Sequence, residues 1–201
     1  MKKILFATGN ETKSKRFSKG LEKESVELIS LKDININLEI NENGKNAIEN
    51  ALIKARAYYN KAKMITMAMD DSLYIEDIPE ELQPGLFVRR INGKRLNDEE
   101  MIKYYSGLAK KYGKNGKLTA RWVYGLAIIK DEKEMTFTWN KEDFYIVSNP
   151  SEKIDPGYPL NTISINKKLN KYFTEMTYED KELVKEDEQE VINFILNSIK
   201  E

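Results

Sequence analysis

Residues 66–77 read TMAMDDSLYIED, where a run of apolar and small residues meets two adjacent carboxylates, Asp70 and Asp71. The apolar run is typical of a buried strand, so we predict that a strand over Ile65–Met69 delivers both acids at its carboxyl end. Ligands of open α/β sheets bind outside the carboxyl ends of the strands. Two carboxylates there can bind a divalent cation, share a site in which one acts as a base, or cap the following turn.

The rest of the chain predicts alternating strands and helices around this strand. Apolar periodicity and capping residues indicate further strands at Lys3–Ala7, Val26–Leu31, 118–130 and 134–147, and helices at Glu11–Glu22, Lys45–Lys63 and 97–112. Thr177 and Asp180 cap a last predicted helix, whose core stripe includes Leu183, Val191 and Ile199. Early alternation followed by a late hairpin predicts an α/β fold with a mixed twisted sheet and flanking helices.

The composition limits the classes of protein that fit this sequence. The chain has 201 residues, with 33 basic and 33 acidic side chains, which predicts one domain or two joined lobes without a nucleic-acid footprint. No apolar run reaches the roughly 20 residues of a membrane helix, and polar residues interrupt the N-terminal segment too early for a signal peptide. We therefore expect a soluble cytoplasmic protein that binds neither nucleic acid nor membrane.

The sequence contains no cysteine and no histidine. Disulfides, thiolate nucleophiles, Ser-His-Asp triads and the usual zinc sites are therefore excluded. A general base must be Asp, Glu, Lys or Tyr. A catalytic metal would be a hard cation with oxygen ligands, such as Mg²⁺ or Mn²⁺.

A second functional segment lies at the N-terminus, where LFATGNETK takes a strand through Thr8, Gly9 and Asn10 into a helix. Backbone N–H groups at such a junction bind anions, and Lys13 in the first helical turn is within reach of one. The spacing is not that of a P-loop. A phosphate-binding turn and an acid pair in one chain favour a nucleotide polyphosphate as the common ligand.

Together these motifs resemble a known family. The matching residues are Thr8, Gly9, Asn10, Lys13, Glu42, Gly44, Glu49, Asn50, Ala51, Lys54, Ala55, Asp70, Asp71, Ser72, Pro84, Gly85, Phe87 and Arg90. Their order and spacing are similar to those of the inosine triphosphate pyrophosphatases, which hydrolyse non-standard purine nucleoside triphosphates. The resemblance implies one domain over residues 1–201, with two lobes around a central cleft, and a homodimer.

The resemblance also implies a role for individual residues. Asp71 would activate water for attack on the α-phosphorus with Lys13 beside it, while Glu42 and Asp71 would hold Mg²⁺, or Mn²⁺ in its place. The products would be a nucleoside monophosphate and pyrophosphate. The implied substrate-binding residues are Thr8, Gly9, Asn10, Lys13, Asn50, Lys54, Ser72, Arg90, Tyr158, Asn161 and Lys181.

Several positions depart from the family pattern. Arg16 replaces a glutamate of the TGNxxKxxE motif, and the FGYDP loop is reduced to residues 158–161, with Asn161 in place of its aspartate. The SHR motif, which reads the purine edge, becomes Lys185, Glu186 and Asp187. The part of the site that recognises the base therefore differs from the family pattern. Two alternative functions stay open: a nucleotide-binding protein without turnover, and a hydrolase for a modified pyrimidine or another nucleotide.

Overall fold

Strands and helices alternate through the first half of the chain, as the sequence predicts. The structure, a computed structural model, describes residues 1–185 and 188–200, except for the side chains at positions 11, 12, 14 and 15. The strands are β1 (Lys2–Phe6), β2 (Val26–Ser30), β3 (Thr66–Ile75), β4 (Arg90–Ile91), β5 (Lys94–Arg95), β6 (Lys117–Lys130), β7 (Lys133–Val147) and β8 (Ser164–Asn166). The helices are α1 (Glu11–Glu22), α2 (Ala47–Ala62), α3 (Asp98–Tyr112), α4 (Tyr178–Leu183) and α5 (Gln189–Ile199). Short 3₁₀ turns occur at Glu80–Leu82, Pro159–Ile163 and Phe173–Glu175.

The main sheet has the strand order β2-β1-β3-β6-β7-β8, and β4 pairs with β5 separately. Strand β1 runs parallel to β2 and β3, whereas β8 runs antiparallel to β7. The hairpin between β6 and β7 turns through Asp131 and Glu132, whose φ angles of 49° and 63° are those of a two-residue type I′ turn. The prediction of a mixed sheet with flanking helices is confirmed.

The chain divides into two compact units, the first of which comprises residues 1–71, 124–139 and 187–201. Side chains alternate across its sheet, as in any strand. On one face Ile4, Phe6, Met67 and Met69 pack against Phe17, Leu21, Val191 and Ile195 of α1 and α5. On the other face Leu5, Ala7 and Ala68 pack against Ala51, Ala55 and Tyr58 of α2. Each face of β3 in this unit is therefore covered by a different helix.

The second unit comprises residues 72–123 and 140–186. Its core combines Met101 and Tyr105 of α3 with Leu118, Phe144 and other apolar residues of β3, β6 and β7. The predicted capping pairs are confirmed, because Asn97 with Glu100 and Thr177 with Asp180 form capping boxes. The prediction that residues 1–201 form one domain stays a prediction. In the described parts of the chain, no helix is both long and apolar enough to cross a membrane.

The prediction that the third strand ends before Asp70 is wrong. Strand β3 continues through both acids to Ile75, because Leu73 and Ile75 extend the apolar alternation and are at most 2% exposed. The two carboxylates therefore lie in the middle of a strand, where each requires a partner.

The prediction of one continuous C-terminal helix is also wrong. Helix α4 ends at Leu183 and α5 begins at Gln189. Leu183 is 63% exposed and does not belong to the core stripe, whereas Val191, Ile195 and Ile199 are buried as expected. The four residues between Val184 and Gln189 are all charged, so none of them can anchor a helix to the core.

Candidate functional site

Adjacent residues of a strand point to opposite faces of its sheet, and this separates the two acids of β3. Met69 belongs to the cluster that packs under α1, and Ala68 belongs to the cluster under α2. Asp71 therefore follows Met69 onto the α1 face, and Asp70 follows Ala68 onto the α2 face. The two carboxylates belong to two different groups of side chains.

On the α1 face, the ammonium group of Lys13 contacts the carboxylate of Asp71. Helix α1 begins at Glu11, so Lys13 lies in its first turn, where backbone N–H groups lack helical partners. The side chains of Lys13 and Asp71 are 22% and 26% exposed. The pair is thus partly shielded from water and open to a small ligand.

On the α2 face, Lys54 joins two carboxylates. Its Nζ atom lies 2.8 Å from Glu42 and 3.4 Å from Asp70. The exposed fractions are 15% for the Lys54 side chain, 17% for Asp70 and 37% for Glu42. One cation is therefore shared by two acids.

The loop that carries Glu42 is tied to the first turn of α2. Asn50 is 4% exposed, and its side-chain oxygen accepts the backbone N–H of Gly44 at 2.8 Å. A Cβ atom at Gly44 would lie 2.7 Å from that oxygen, so only glycine allows this approach. Glu49 accepts the N–H of Lys45 at 2.8 Å. Asn50 thus holds the loop, and its predicted role in substrate binding stays a prediction.

The turn between β1 and α1 has a polar, open surface. The Thr8 hydroxyl accepts the N–H of Asn10 at 3.1 Å, and the Asn10 side-chain oxygen accepts the N–H of Lys13 at 3.4 Å. A Cβ atom at Gly9 would meet no described atom within 4 Å, so packing does not require glycine here. Open space above a turn that leads into a helix N-terminus suits the close approach of a phosphate.

Arg16 lies one turn after Lys13 and has two kinds of partner. Its Nε atom donates to the carboxylate of Glu188. Its guanidinium carbon lies 4.7 Å from the Tyr124 ring centroid and 5.5 Å from that of Trp139. The replacement of the family glutamate is therefore accommodated by an ion pair and by aromatic rings.

The other predicted substrate-binding residues belong to the second unit. Ser72 is 1% exposed, and its hydroxyl donates to the Val123 carbonyl at 3.4 Å. Asn161 donates from its side-chain amide to Asp155 at 2.7 Å. Tyr158 is 45% exposed and directly precedes the 3₁₀ turn Pro159–Ile163.

Arg90 and Lys181 are exposed, Arg90 on β4 and Lys181 on α4. The roles of all five residues of the second unit stay predictions. Of the three positions that replace SHR, Lys185 has an exposed side chain, 3.7 Å from Glu182. Glu186 and Asp187 lie outside the described residues.

Residues 4–187 match the model of a protein family described as the Ham1 family. The chain belongs to the Ham1 family. The family resemblance predicted from the motifs around Lys13, Lys54 and Asp71 is thereby confirmed.

Curated relatives of this Ham1 family chain share the name dITP/XTP pyrophosphatase. The protein of Thermoanaerobacter pseudethanolicus is 29% identical over 206 residues, which cover 99% of each chain. That of Bacillus subtilis is 29% identical over 181 residues, covering 90% of this chain and 89% of its own. Their name is that of a nucleoside triphosphate pyrophosphatase, the enzyme class predicted from the sequence.

Solved structures support the same fold. The Staphylococcus aureus Ham1 protein aligns with a TM-score of 0.74 at 20% identity, over 98% of this chain and all of its own. A HAM1 protein from Coxiella burnetii aligns with a TM-score of 0.73 at 22% identity and the same coverage. The predicted α/β class is confirmed.

Sequence reasoning missed two members of the site in this Ham1 family chain. Asp70 was considered only as half of an acid pair with Asp71 and was given no role of its own, yet it shares Lys54 with Glu42. The alternation of side chains along β3 indicates that Asp70 faces α2, but only if the strand is extended past residue 69. Glu188 was also missed, and no local pattern links it to Arg16, 172 positions earlier.

The donor set of this Ham1 family chain fits a hard divalent cation. Glu42 and Asp70 already hold one cationic group between them, and carboxylate oxygens are ligands that Mg²⁺ prefers. No group of three or more acidic side chains suited to a metal occurs among residues 1–185 and 188–200. Mg²⁺ commonly binds through one or two carboxylates together with substrate phosphates, which this arrangement allows. The predicted pair Glu42 and Asp71 stays a prediction.

Proposed function

We propose that this chain hydrolyses a non-standard purine nucleoside triphosphate to the monophosphate and pyrophosphate, with a divalent cation. The observation that carries the proposal is the contact between Lys13 and Asp71 beside the open TGN turn. This contact combines a carboxylate base and a phosphate-binding cation at a helix N-terminus. The name of the relatives, dITP/XTP pyrophosphatase, supports both the reaction and the purine class.

The turn before α1 and the two lysines, Lys13 and Lys54, bind the phosphates. The N–H groups that follow Gly9 and the hydroxyl of Thr8 donate to phosphate oxygens. Lys13 and Lys54 offset the negative charge that increases as the triphosphate approaches. Each lysine leaves or shares its carboxylate partner when the more highly charged phosphate binds.

Asp71 acts as the general base. Its carboxylate accepts a proton from water as the water oxygen attacks the α-phosphorus. The bond between the α-phosphorus and the bridging oxygen breaks, and pyrophosphate leaves with the electron pair. The position of Asp71 within β3, flanked by the buried residues Met69 and Leu73, holds this carboxylate on a rigid element.

Glu42 and Asp70, with Asp71 as predicted from the resemblance, are the residues that would hold Mg²⁺, or Mn²⁺ in its place. When bound, the cation neutralises charge on the phosphate oxygens. The Nζ atom of Lys54 lies 2.8 Å from Glu42 and 3.4 Å from Asp70, between the two acids of the α2 face. Asn50 keeps the Glu42 loop against α2 throughout.

A nucleotide-binding protein without turnover is the second candidate. The observation that favours it is the hydrogen bond between Asn161 and Asp155, because an amide stands where the family has an aspartate. We favour hydrolysis because the contact of Lys13 with Asp71 does not involve that loop. A homodimer, by resemblance, and a cytoplasmic location, from the sequence composition, remain part of the proposal, and light scattering tests the dimer.

Pyrophosphate release in the presence of Mg²⁺ tests the proposal. The panel comprises ITP, XTP, dITP, the standard triphosphates and damaged purine and pyrimidine analogues. Turnover of ITP, XTP or dITP above the standard nucleotides is expected, and a preference for a modified pyrimidine would contradict the purine assignment.

Asp71→Asn is the diagnostic variant, and Asp77→Asn is its matched control on an exposed turn. We expect Asp71→Asn to reduce kcat by about 10²- to 10⁴-fold, the range for loss of a general base, while nucleotide binding persists. Binding without turnover in the wild-type chain would instead support the second candidate.

A further inference from the structure

Arg16 is enclosed by partners from several elements, which we call the Arg16 clamp: Glu188, Phe17, Tyr124 and Trp139. The guanidinium donates to Glu188 at the start of α5. Its carbon lies 4.7 Å from the Tyr124 centroid, 5.5 Å from Trp139 and 5.6 Å from Phe17. The side chains of Arg16 and Glu188 are 20% and 21% exposed. An exposed arginine would have none of these constraints.

The two kinds of contact in the Arg16 clamp restrict different movements. The ion pair fixes the direction in which the Nε edge of the guanidinium points, and the rings fix the position of its plane. Tyr124 and Trp139 are themselves stacked, with centroids 5.0 Å apart and an interplanar angle of 27°. Glu188 precedes α5, yet its carboxylate makes no cap bond to that helix. Its side chain accepts the hydrogen bond from Arg16 instead.

The Arg16 clamp acts on the orientation of α1. Lys13, Arg16 and Gly20 are three and seven positions apart, so they share one face of the helix. At Gly20 the side chain of Ile192 from α5 fills the space that a Cβ atom would occupy. Phe17 and Leu21 are fully buried in the core beside this face. Helix α1 is thus held along this face, and its N-terminal end carries Lys13.

We propose that Arg16 is a positioning residue, which fixes α1 through its clamp so that the Lys13 ammonium group is held against Asp71. The inference rests on the proposed function, because it assigns Arg16 a role in the reaction through Lys13. Arg16 and Lys13 are separated by one helical turn, and the effect of Arg16 is transmitted by the rigidity of that turn.

The consequence for kinetics is specific. Misplacing a charged group by about 1 Å can reduce a rate by about 100-fold, whereas the turn and Lys54 still bind the phosphates. Arg16→Gln is therefore expected to lower kcat by about tenfold or more and to change KM by less than about threefold. Arg16→Lys, which keeps the ion pair with Glu188, is expected to recover part of the loss.

A double-mutant cycle separates positioning from a merely structural role. If Arg16 acts through Lys13, then Arg16→Gln has little further effect on kcat in the background of Lys13→Met. Lys19→Gln, an exposed lysine on the same helix, is the matched control and should match the wild type. The inference would be overturned if the effects of Arg16→Gln and Lys13→Met on kcat multiply, or if Arg16→Gln leaves kcat unchanged.

An NMR measurement tests the inference without turnover. The side-chain ammonium resonance of Lys13 is assigned by its loss in Lys13→Met. In Arg16→Gln and Glu188→Gln we expect it to move toward the position of exposed lysines, and an unchanged resonance in both would overturn the inference. A wild-type chain that hydrolyses no triphosphate would overturn the proposed function, while the resonance still decides whether Arg16 positions Lys13.

Discussion

At the scale of single residues, the pairing of Asp70 with Lys54 and of Asp71 with Lys13 organises the candidate site. The side chains of neighbouring residues in a strand leave opposite faces of the sheet, so Asp70 and Asp71 face different helices. Each acid therefore has its own lysine, and each lysine comes from the helix that covers its face. A triphosphate and its cation would compete with these ion pairs, so the charges that pair with each other in the structure are also those proposed to bind the substrate.

Lys54→Met tests the shared ion pair. Without the ammonium group, Glu42 and Asp70 repel each other in a partly buried place, so we expect a loss of about 1–3 kcal/mol in the free energy of unfolding at pH 7. Adding Asp70→Asn should recover part of this loss. Lys61→Met, an exposed position on the same helix, is the control, and urea unfolding is the measurement. Equal stability of Lys54→Met and Lys61→Met would contradict the assignment.

A second prediction at the scale of single residues concerns the stability of the folded protein at low pH. The backbone N–H of Gly157 and the side chain of Arg89 lower the pKa of Asp98 below its ordinary value of 3.8, with both bonds at 2.7 Å. A depressed pKa stabilises the folded state above the unfolded pKa, and this contribution is lost as the pH falls through the folded value.

We therefore expect the wild type to lose more stability below about pH 4 than Asp98→Asn does. Melting temperatures between pH 6 and pH 2 measure the difference, with the exposed neighbour Glu99→Gln as control. Parallel curves for the wild type and Asp98→Asn would refute the assignment.

At the scale of elements, helix ends are set by local hydrogen bonds that the sequence displays. The Asn97 side chain accepts the N–H of Glu100 at 2.9 Å, and the Glu100 carboxylate accepts the N–H of Asn97 at 3.0 Å. These reciprocal bonds need only residues three positions apart. The ends of β3 and of the C-terminal helices depend instead on which apolar residues reach a core, and there the sequence prediction was wrong.

Asn97→Ala is expected to destabilise the protein by about 1 kcal/mol, because the N-terminal N–H groups of α3 lose their acceptor. Asn97→Asp should restore most of that loss, since aspartate caps about as well as asparagine. Thermal unfolding measures both variants. Turnover at 25 °C should remain unchanged in either, because α3 contributes none of the residues proposed to react. A variant with normal stability and reduced turnover would contradict the prediction that Asn97 affects stability and not turnover.

At the scale of the whole molecule, substrate binding should appear as stabilisation. A ligand at 100 times its Kd adds about 2.7 kcal/mol to the free energy of unfolding, which for a chain of this length raises Tm by about 5–11 °C. We expect this shift for ITP or XTP with Mg²⁺ in the Asp71→Asn variant, where the ligand is not consumed. EDTA should remove most of it. The same shift without a divalent cation would exclude a metal-bound complex.

The sequence alone determined those features of this protein that local interactions control. The bounds of α1, the capping boxes, the β6–β7 hairpin and the TGN turn all follow from residues a few positions apart. The motifs around Lys13, Lys54 and Asp71 likewise indicate the Ham1 family, because each motif is a short run of neighbouring residues.

Only the tertiary structure decided which charged side chains form ion pairs. Asp70 and Asp71 are neighbours in sequence, yet the sheet separates them and gives each a lysine from a different helix. Arg16 and Glu188 are 172 positions apart, yet the packing of α5 on α1 makes them partners. Side-chain direction and long-range packing are set by the three-dimensional arrangement of the core, so no local pattern in the sequence contains them.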